Sequence, residues 1–266
     1  MTPRIRGVIV NTMRIALGIE YDGTAYNGWQ RQRTGDGVQE RVEKALGKVA
    51  NETIEVTCAG RTDSGVHATG QVVHFDSDSE RSDCGWLLGA NSSLPDDIAV
   101  TWAQRVDDEF HARFSATSRS YRYRILNRPV RSALDRKRAW WVYPPLDAAK
   151  MHEAAQHLLG KHDFSAFRAA GCQASTPNRV ITSISVTRDG DWLTLEVIAN
   201  AFLQHMVRNL TGSLVSVGLG EKPADWLAEV LRSRDRIQGG IAAPAHGLTL
   251  VDVGYPQEFG LVNIPR

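Results

Sequence analysis

The stretch from Cys58 to Phe75, CAGRTDSGVHATGQVVHF, holds the densest set of polar and glycine residues in the chain. Gly60, Gly65 and Gly70 predict a sharply turned loop whose backbone closely approaches something else. Asp63 stands at the tip, two positions after Arg61. A carboxylate presented in this way can serve as a nucleophile or a base. Aspartates in turns also commonly do no more than bond nearby backbone amides. An isolated Arg-Thr-Asp favours the second reading, the glycine density favours the first, and the loop alone does not choose between them.

Other chemistries find less support. His67, His74 and His205 show no spacing typical of zinc ligands and read as structural histidines, so no metal is expected. The three cysteines, Cys58, Cys84 and Cys172, are odd in number and form no Cys-x-x-Cys pair, which argues against a disulfide framework or a zinc site. Glu20-Tyr21-Asp22-Gly23-Thr24 is similar to the Asp-x-Asp-Gly-Thr signature of aspartate-based phosphatases, but Glu20 occupies the place of that signature's nucleophile. The seven tryptophans are scattered and read as core or interface anchors.

The elements that must position the loop follow from periodicity. Strands are predicted near 14–21, 54–59, 70–76 and 98–106, with helices at 38–50 and 84–91. A second set of strands follows near 118–127, 180–188, 192–200 and 248–253, with helices at 147–159 and 203–218. Asp147 is expected to cap the first of these helices and Gly160 to stop it. Arg188-Asp189-Gly190-Asp191 predicts a hairpin, and a further helix is expected at 224–232. Each half thus reads β-α-β-β-α-β, giving an α+β protein of two ferredoxin-like halves with antiparallel sheets. The divisions are a leader at 1–12, an N-terminal half at 13–112 carrying the Asp63 loop, and a C-terminal half at 113–266. With 42% apolar residues, 266 residues suffice for one large core or two smaller ones. No apolar run approaches the roughly 20 residues of a membrane-spanning helix, so a cytoplasmic location is expected.

Charge is unevenly spread. The whole chain sums to +1, yet residues 113–138 hold nine basic residues against one acid, Asp135. Such a run could contact phosphates, because neutralising each one releases counterions. It could equally guard a solvated strand edge. Arg119, Arg128 and Arg131 are the candidate phosphate contacts. Arg122 is a weaker one, since strand alternation sets it opposite Tyr121 and Tyr123.

Gly60-Arg61-Thr62-Asp63-Ser64-Gly65-Val66-His67-Ala68 resembles the signature loop of the tRNA pseudouridine synthase A family. So do Tyr21-Asp22-Gly23-Thr24, Gly28-Trp29-Gln30, Val38-Gln39 and Phe110-His111-Ala112-Arg113-Phe114-Ser115-Ala116. Tyr121-Arg122-Tyr123, His162-Asp163-Phe164, Asn200-Ala201-Phe202 and Met206-Val207-Arg208-Asn209 continue the likeness in the same order, across about residues 14–255. Ser64 departs from that family's more familiar Ala or Lys.

The resemblance implies a pseudouridine synthase fold with an active-site cleft between the halves. It also implies isomerisation of uridine to pseudouridine in the anticodon stem-loop of tRNA, at tRNA positions 38, 39 or 40. That reaction exchanges a carbon–nitrogen for a carbon–carbon bond on the same ribose, so no cofactor is expected. Asp63 would be the catalytic nucleophile acting on a flipped-out base. Arg61 would brace the vacated stack, Tyr121 would stack on the uracil, and Arg208 would be the cation beside Asp63. A homodimer whose subunits both contact the tRNA is implied as well. A non-catalytic RNA-binding module is the main alternative, but it has no reason to hold a carboxylate among phosphates.

Overall fold

The computed structural model describes residues 12–32 and 36–261, so the leader predicted at 1–12 lies outside the described residues except for Thr12. In the first half, β1 (Met13–Tyr21) leads to α1 (Val38–Ala50), β2 (Thr57–Cys58), β3 (His67–Ser77), α2 (Asp83–Asn91) and β4 (Ile98–Val106). Val38, Val42, Ala45 and Leu46 form the buried stripe of α1, at the 3.6-residue spacing that the sequence shows. Ser82 caps α2 by accepting from the Gly85 amide.

In the second half, β5 (Ser118–Asn127), β6 (Trp140–Val142), α3 (Ala148–Gln156) and β7 (Gly160–Asp163) come first. The chain continues through β8 (Asn178–Asp189), β9 (Trp192–Ala199), α4 (Met206–Gly218), α5 (Trp226–Ser233) and β10 (Leu248–Gly254). Asp147 caps α3 through the Lys150 amide, as its sequence position predicts. The extra helix also forms, as α5.

The sheet order explains how the halves meet. The first half runs β4-β1-β3 with β2 on the far side of β3, and the second runs β10-β5-β9-β8. With the short β6 beside β5 and β7 at the outer edge of β8 set aside, each half runs fourth, first, third, second, the order of a ferredoxin-like unit. The two do not stay separate sheets: β10 joins β3 in parallel and β5 antiparallel, so one ten-stranded sheet spans both. One edge of β3 therefore changes partner along its length. His67 and Ala68 pair with β10, whereas Val73 and His74 pair with β2. The loop between β2 and β3, which carries Asp63, emerges at that change of partner.

Several expected boundaries move. The strand expected at 54–59 shrinks to Thr57–Cys58, because the buried Glu43 carboxylate accepts the Val56 amide at 3.1 Å and replaces a strand neighbour. The helix expected from 203 starts at Met206, because His205 adopts a left-handed conformation that starts the helix anew. The α3 helix ends at Gln156, before Gly160, whose φ of 94° instead turns the chain into β7. The hairpin turn centres on Gly190 and Asp191, with the positive φ at Gly190. Finally, β5 lies between β10 and β9 in the sheet interior, so the basic run guards no strand edge; its latter part, 128–138, is the connection from β5 to β6.

Candidate active site

The loop from Ala59 to Val66 is held at nearly every turn. The Ala59 amide donates to the Val72 carbonyl at 2.8 Å. Gly60 is clasped from both sides by the fully buried Gln71, whose Oε1 accepts the Gly60 amide and whose Nε2 donates to the Gly60 carbonyl. The Thr62 carbonyl accepts the Trp29 amide at 3.0 Å, and its hydroxyl meets the Tyr21 hydroxyl at 2.8 Å. The Gly65 amide and the Ser64 hydroxyl both donate to the Tyr26 carbonyl. Gly28 is the close approach that the glycine-rich sequence anticipates: a side chain there would come 2.7 Å from the Thr62 carbonyl oxygen, at a φ of 95°.

These contacts set Asp63 at the junction of the halves, with its carboxyl a quarter exposed. Its Oδ2 lies 3.5 Å from Arg208 Nη1, which places this pair as the sequence implied. Arg208 is fixed in turn, because its Nε donates to the Ala243 carbonyl at 2.8 Å and its own carbonyl accepts the Ala243 amide at 3.0 Å. That second strap depends on Gly212, where a side chain would collide with the Ile241 carbonyl. The loop between α5 and β10 thus buttresses the cation.

Tyr121 on β5 is buried and packs edge-on against Phe202, with ring centroids 5.0 Å apart. Burial, and secondarily the Asp63 charge, hold its phenol above the usual tyrosine range, so its hydroxyl stays protonated at neutral pH. The Tyr121 hydroxyl faces Gly60, where an added side-chain carbon would lie 3.9 Å away. Arg61 is exposed and makes no hydrogen bond or ion pair among the described residues.

Arg119 takes a different role from the phosphate contact expected of it. It is buried, and its guanidinium donates to the carbonyls of Ala59, Arg113, Ala116 and Asn200 at 2.7–3.1 Å. Both terminal nitrogens are spent on carbonyls, and the buried side chain instead ties the start of the Asp63 loop to the segment leading into α4. Arg122 pairs with Glu196, Arg128 stands 3.6 Å from Asp191, and Arg138 pairs with Asp22. Arg131 keeps an exposed head with no such partner among the described residues, as do Arg136 and Lys137, which the sequence reading did not single out.

His205 was missed. Read from sequence as structural, it places Nε2 3.5 Å from Asp63 Oδ2. It stands just before α4 in left-handed backbone, so helical periodicity offered no signal for it. Its φ of 61° is uncommon for any residue with a side chain and costs on the order of 1 kcal/mol. His67 and His74 do serve structure, accepting the Gly23 and Ala112 amides. Burial pushes His74 down to about 4, which keeps its accepting nitrogen unprotonated. Among the described residues no cluster of three or more metal-ligating side chains occurs. A hollow of about 460 Å³ between Asn127, Tyr143 and Arg188 lies away from Asp63, and Arg188 is spent on Asn127 and Leu146.

Comparison with known proteins decides the family. The tRNA pseudouridine synthase family profile matches residues 18–115 and 154–256. The chain belongs to the tRNA pseudouridine synthase family. Among its relatives within that family is the tRNA pseudouridine synthase A of Aeromonas hydrophila, 56% identical over 253 residues, or 95% of this chain and 94% of that protein. The protein of the same name from Vibrio campbellii is 55% identical, covering 95% and 96%. That from Shewanella amazonensis is 56% identical, covering 95% and 97%. As a tRNA pseudouridine synthase, the chain carries Asp63 and Arg208 inside the two matched stretches. Tyr121 and Arg131 fall in the interval between them.

Proposed function

We propose that this protein isomerises uridine to pseudouridine in the anticodon stem-loop of tRNA, at positions 38, 39 or 40, with Asp63 as the reacting carboxylate. The supporting observation is the Asp63–Arg208 pair at the junction of the halves, on a loop whose backbone is fixed before any substrate arrives. Preorganisation of this kind is what a step at C1′ of ribose requires, because the carboxylate must stay charged and aimed. Arg208 supplies the compensating positive charge. Tyr121 offers a ring against the uracil, and Arg61, without a hydrogen bond or ion pair among the described residues, can enter the stack that the flipped base leaves. Arg131, with Arg136 and Lys137, would hold backbone phosphates.

The names of the curated relatives support tRNA as the substrate. We further propose a homodimer acting in the cytoplasm, with 13–112 and 113–266 as its working halves. The exposed Leu134, Ile237 and Ile241 supply apolar surface that a second copy would cover. Light scattering should give twice the chain mass, and a monomeric mass with full activity would refute the dimer. The phosphatase alternative loses ground, since Asp22 is occupied by Arg138 and the Thr24 amide.

The direct test is incubation with an unmodified tRNA transcript followed by carbodiimide-based mapping. Pseudouridine should appear at positions 38–40. Unchanged uridine throughout that arm, with tRNA bound, would favour a non-catalytic RNA-binding module.

A further inference from the structure

Asp63 uses its two carboxylate oxygens differently. Oδ2 is approached by Arg208 Nη1 and by His205 Nε2, each at 3.5 Å, whereas Oδ1 accepts no hydrogen bond among the described residues. One cation near one oxygen leaves the carboxylate free to rotate about its Cβ–Cγ bond. Here Arg208 donates a hydrogen bond to Oδ2 and the edge of the His205 ring closes on the same oxygen from another side chain, so the carboxylate plane has little room to turn and the remaining oxygen is presented in one direction.

His205 is placed for this by a backbone conformation that local preference disfavours. It has φ 61° and ψ 2°, immediately before the first residue of α4. Outliers of this kind persist only where their surroundings determine them, and they concentrate at functional sites. The surroundings here are explicit. The Met206 amide donates to the Leu203 carbonyl, the Asn209 amide to the His205 carbonyl, and the Ala169 amide to the Gln204 carbonyl. The Gln204 amide meets Cys172 Sγ at 3.4 Å. The turn is pinned on both sides, and the ring it projects is a third exposed and reaches the carboxylate.

We propose that His205 is a positioning residue for the isomerisation: with Arg208 it locks Asp63 Oδ2, so that Oδ1 is the oxygen offered to the substrate. This rests on Asp63 being the reacting carboxylate. Three variants of the full-length enzyme separate the two claims. His205→Gly suits the left-handed backbone and removes the ring, and His205→Asn tolerates the same φ but is too short to reach Asp63. Asp63→Asn tests the underlying reading alone.

On saturating tRNA, both His205 variants should lose about tenfold or more in single-turnover rate, with tRNA Kd within about twofold of the parent. The melting temperature of His205→Gly should equal or exceed the parent's, because the strained φ is relieved. Added imidazole should restore part of the rate in His205→Gly and leave the parent unaffected, a response that a merely structural side chain would not give. Parent-like rates in both variants would overturn the proposal, as would a rate loss matched by lost tRNA affinity or a failure of imidazole to restore any rate. If Asp63→Asn stays active, the assignment of the carboxylate itself falls. If only Asp63→Asn is inactive, His205 alone is excluded.

Discussion

The loop at 59–66 and the connection at 128–138 are both polar and both exposed in part, but the chain treats them in opposite ways. In the first, buried groups from three other segments, Gln71, Trp29 and Arg119, bond the backbone directly. In the second, Arg131, Arg136 and Lys137 extend into solvent without hydrogen-bonded or ion-paired partners among the described residues, while Arg138 and the Lys137 carbonyl anchor its end to Asp22 and His67. A reacting carboxylate loses rate with each small displacement, whereas a phosphate contact through a long side chain adapts at little cost. Positional precision is therefore concentrated where bonds are expected to change, and charge is left mobile where the RNA backbone is expected to lie.

Arg119 offers the most forceful way to break this contrast. Arg119→Met keeps most of the side-chain volume but leaves four carbonyls without their donor. It should destabilise the fold by about 3 kcal/mol in urea unfolding, since the buried Ala59 carbonyl left unpaired costs roughly 1–3 kcal/mol and three part-buried carbonyls lose their bonds as well. Retained stability together with a flattened salt dependence of tRNA binding would return Arg119 to the phosphate contacts. Gly28→Ala should come next, costing about 2 kcal/mol through its positive φ and its approach to Thr62. Its turnover should fall further than its tRNA affinity, and equal losses in both would mean that the loop serves binding.

The smallest stability effect belongs to the other region. The triple variant Arg131→Ala, Arg136→Ala, Lys137→Ala should change stability by less than about 0.5 kcal/mol. Each true phosphate contact removed should instead flatten the slope of log affinity against log salt by about 0.7 to 0.9. An unchanged slope would place the RNA elsewhere.

The Asp63 loop was legible because its residue types encode its turn, and the collinear motifs then tied Asp63 to Arg208 across 145 positions of chain. Arg119 was legible in principle. The alternation that turns Arg122 to solvent puts Arg119 on the inward face with Tyr121 and Tyr123, but net charge drew it toward the surface. The short β2 was not legible, because nothing local announces that Glu43, on a helix, takes the place of a strand partner for Val56. His205 was obscured for a similar reason. Its left-handed backbone is imposed by tertiary contacts, and a lone histidine beside Met206 and Val207 carries no pattern of its own.

The central claim, that Asp63 is the reacting group and not a turn-former, is tested most directly by Asp63→Asn on an unmodified tRNA transcript. The substitution keeps size and hydrogen bonding and removes the charge. Single-turnover pseudouridine formation at positions 38–40 should disappear, while tRNA affinity and melting temperature stay near the parent's. Pseudouridine formed by this variant at a rate comparable to the parent would contradict the account.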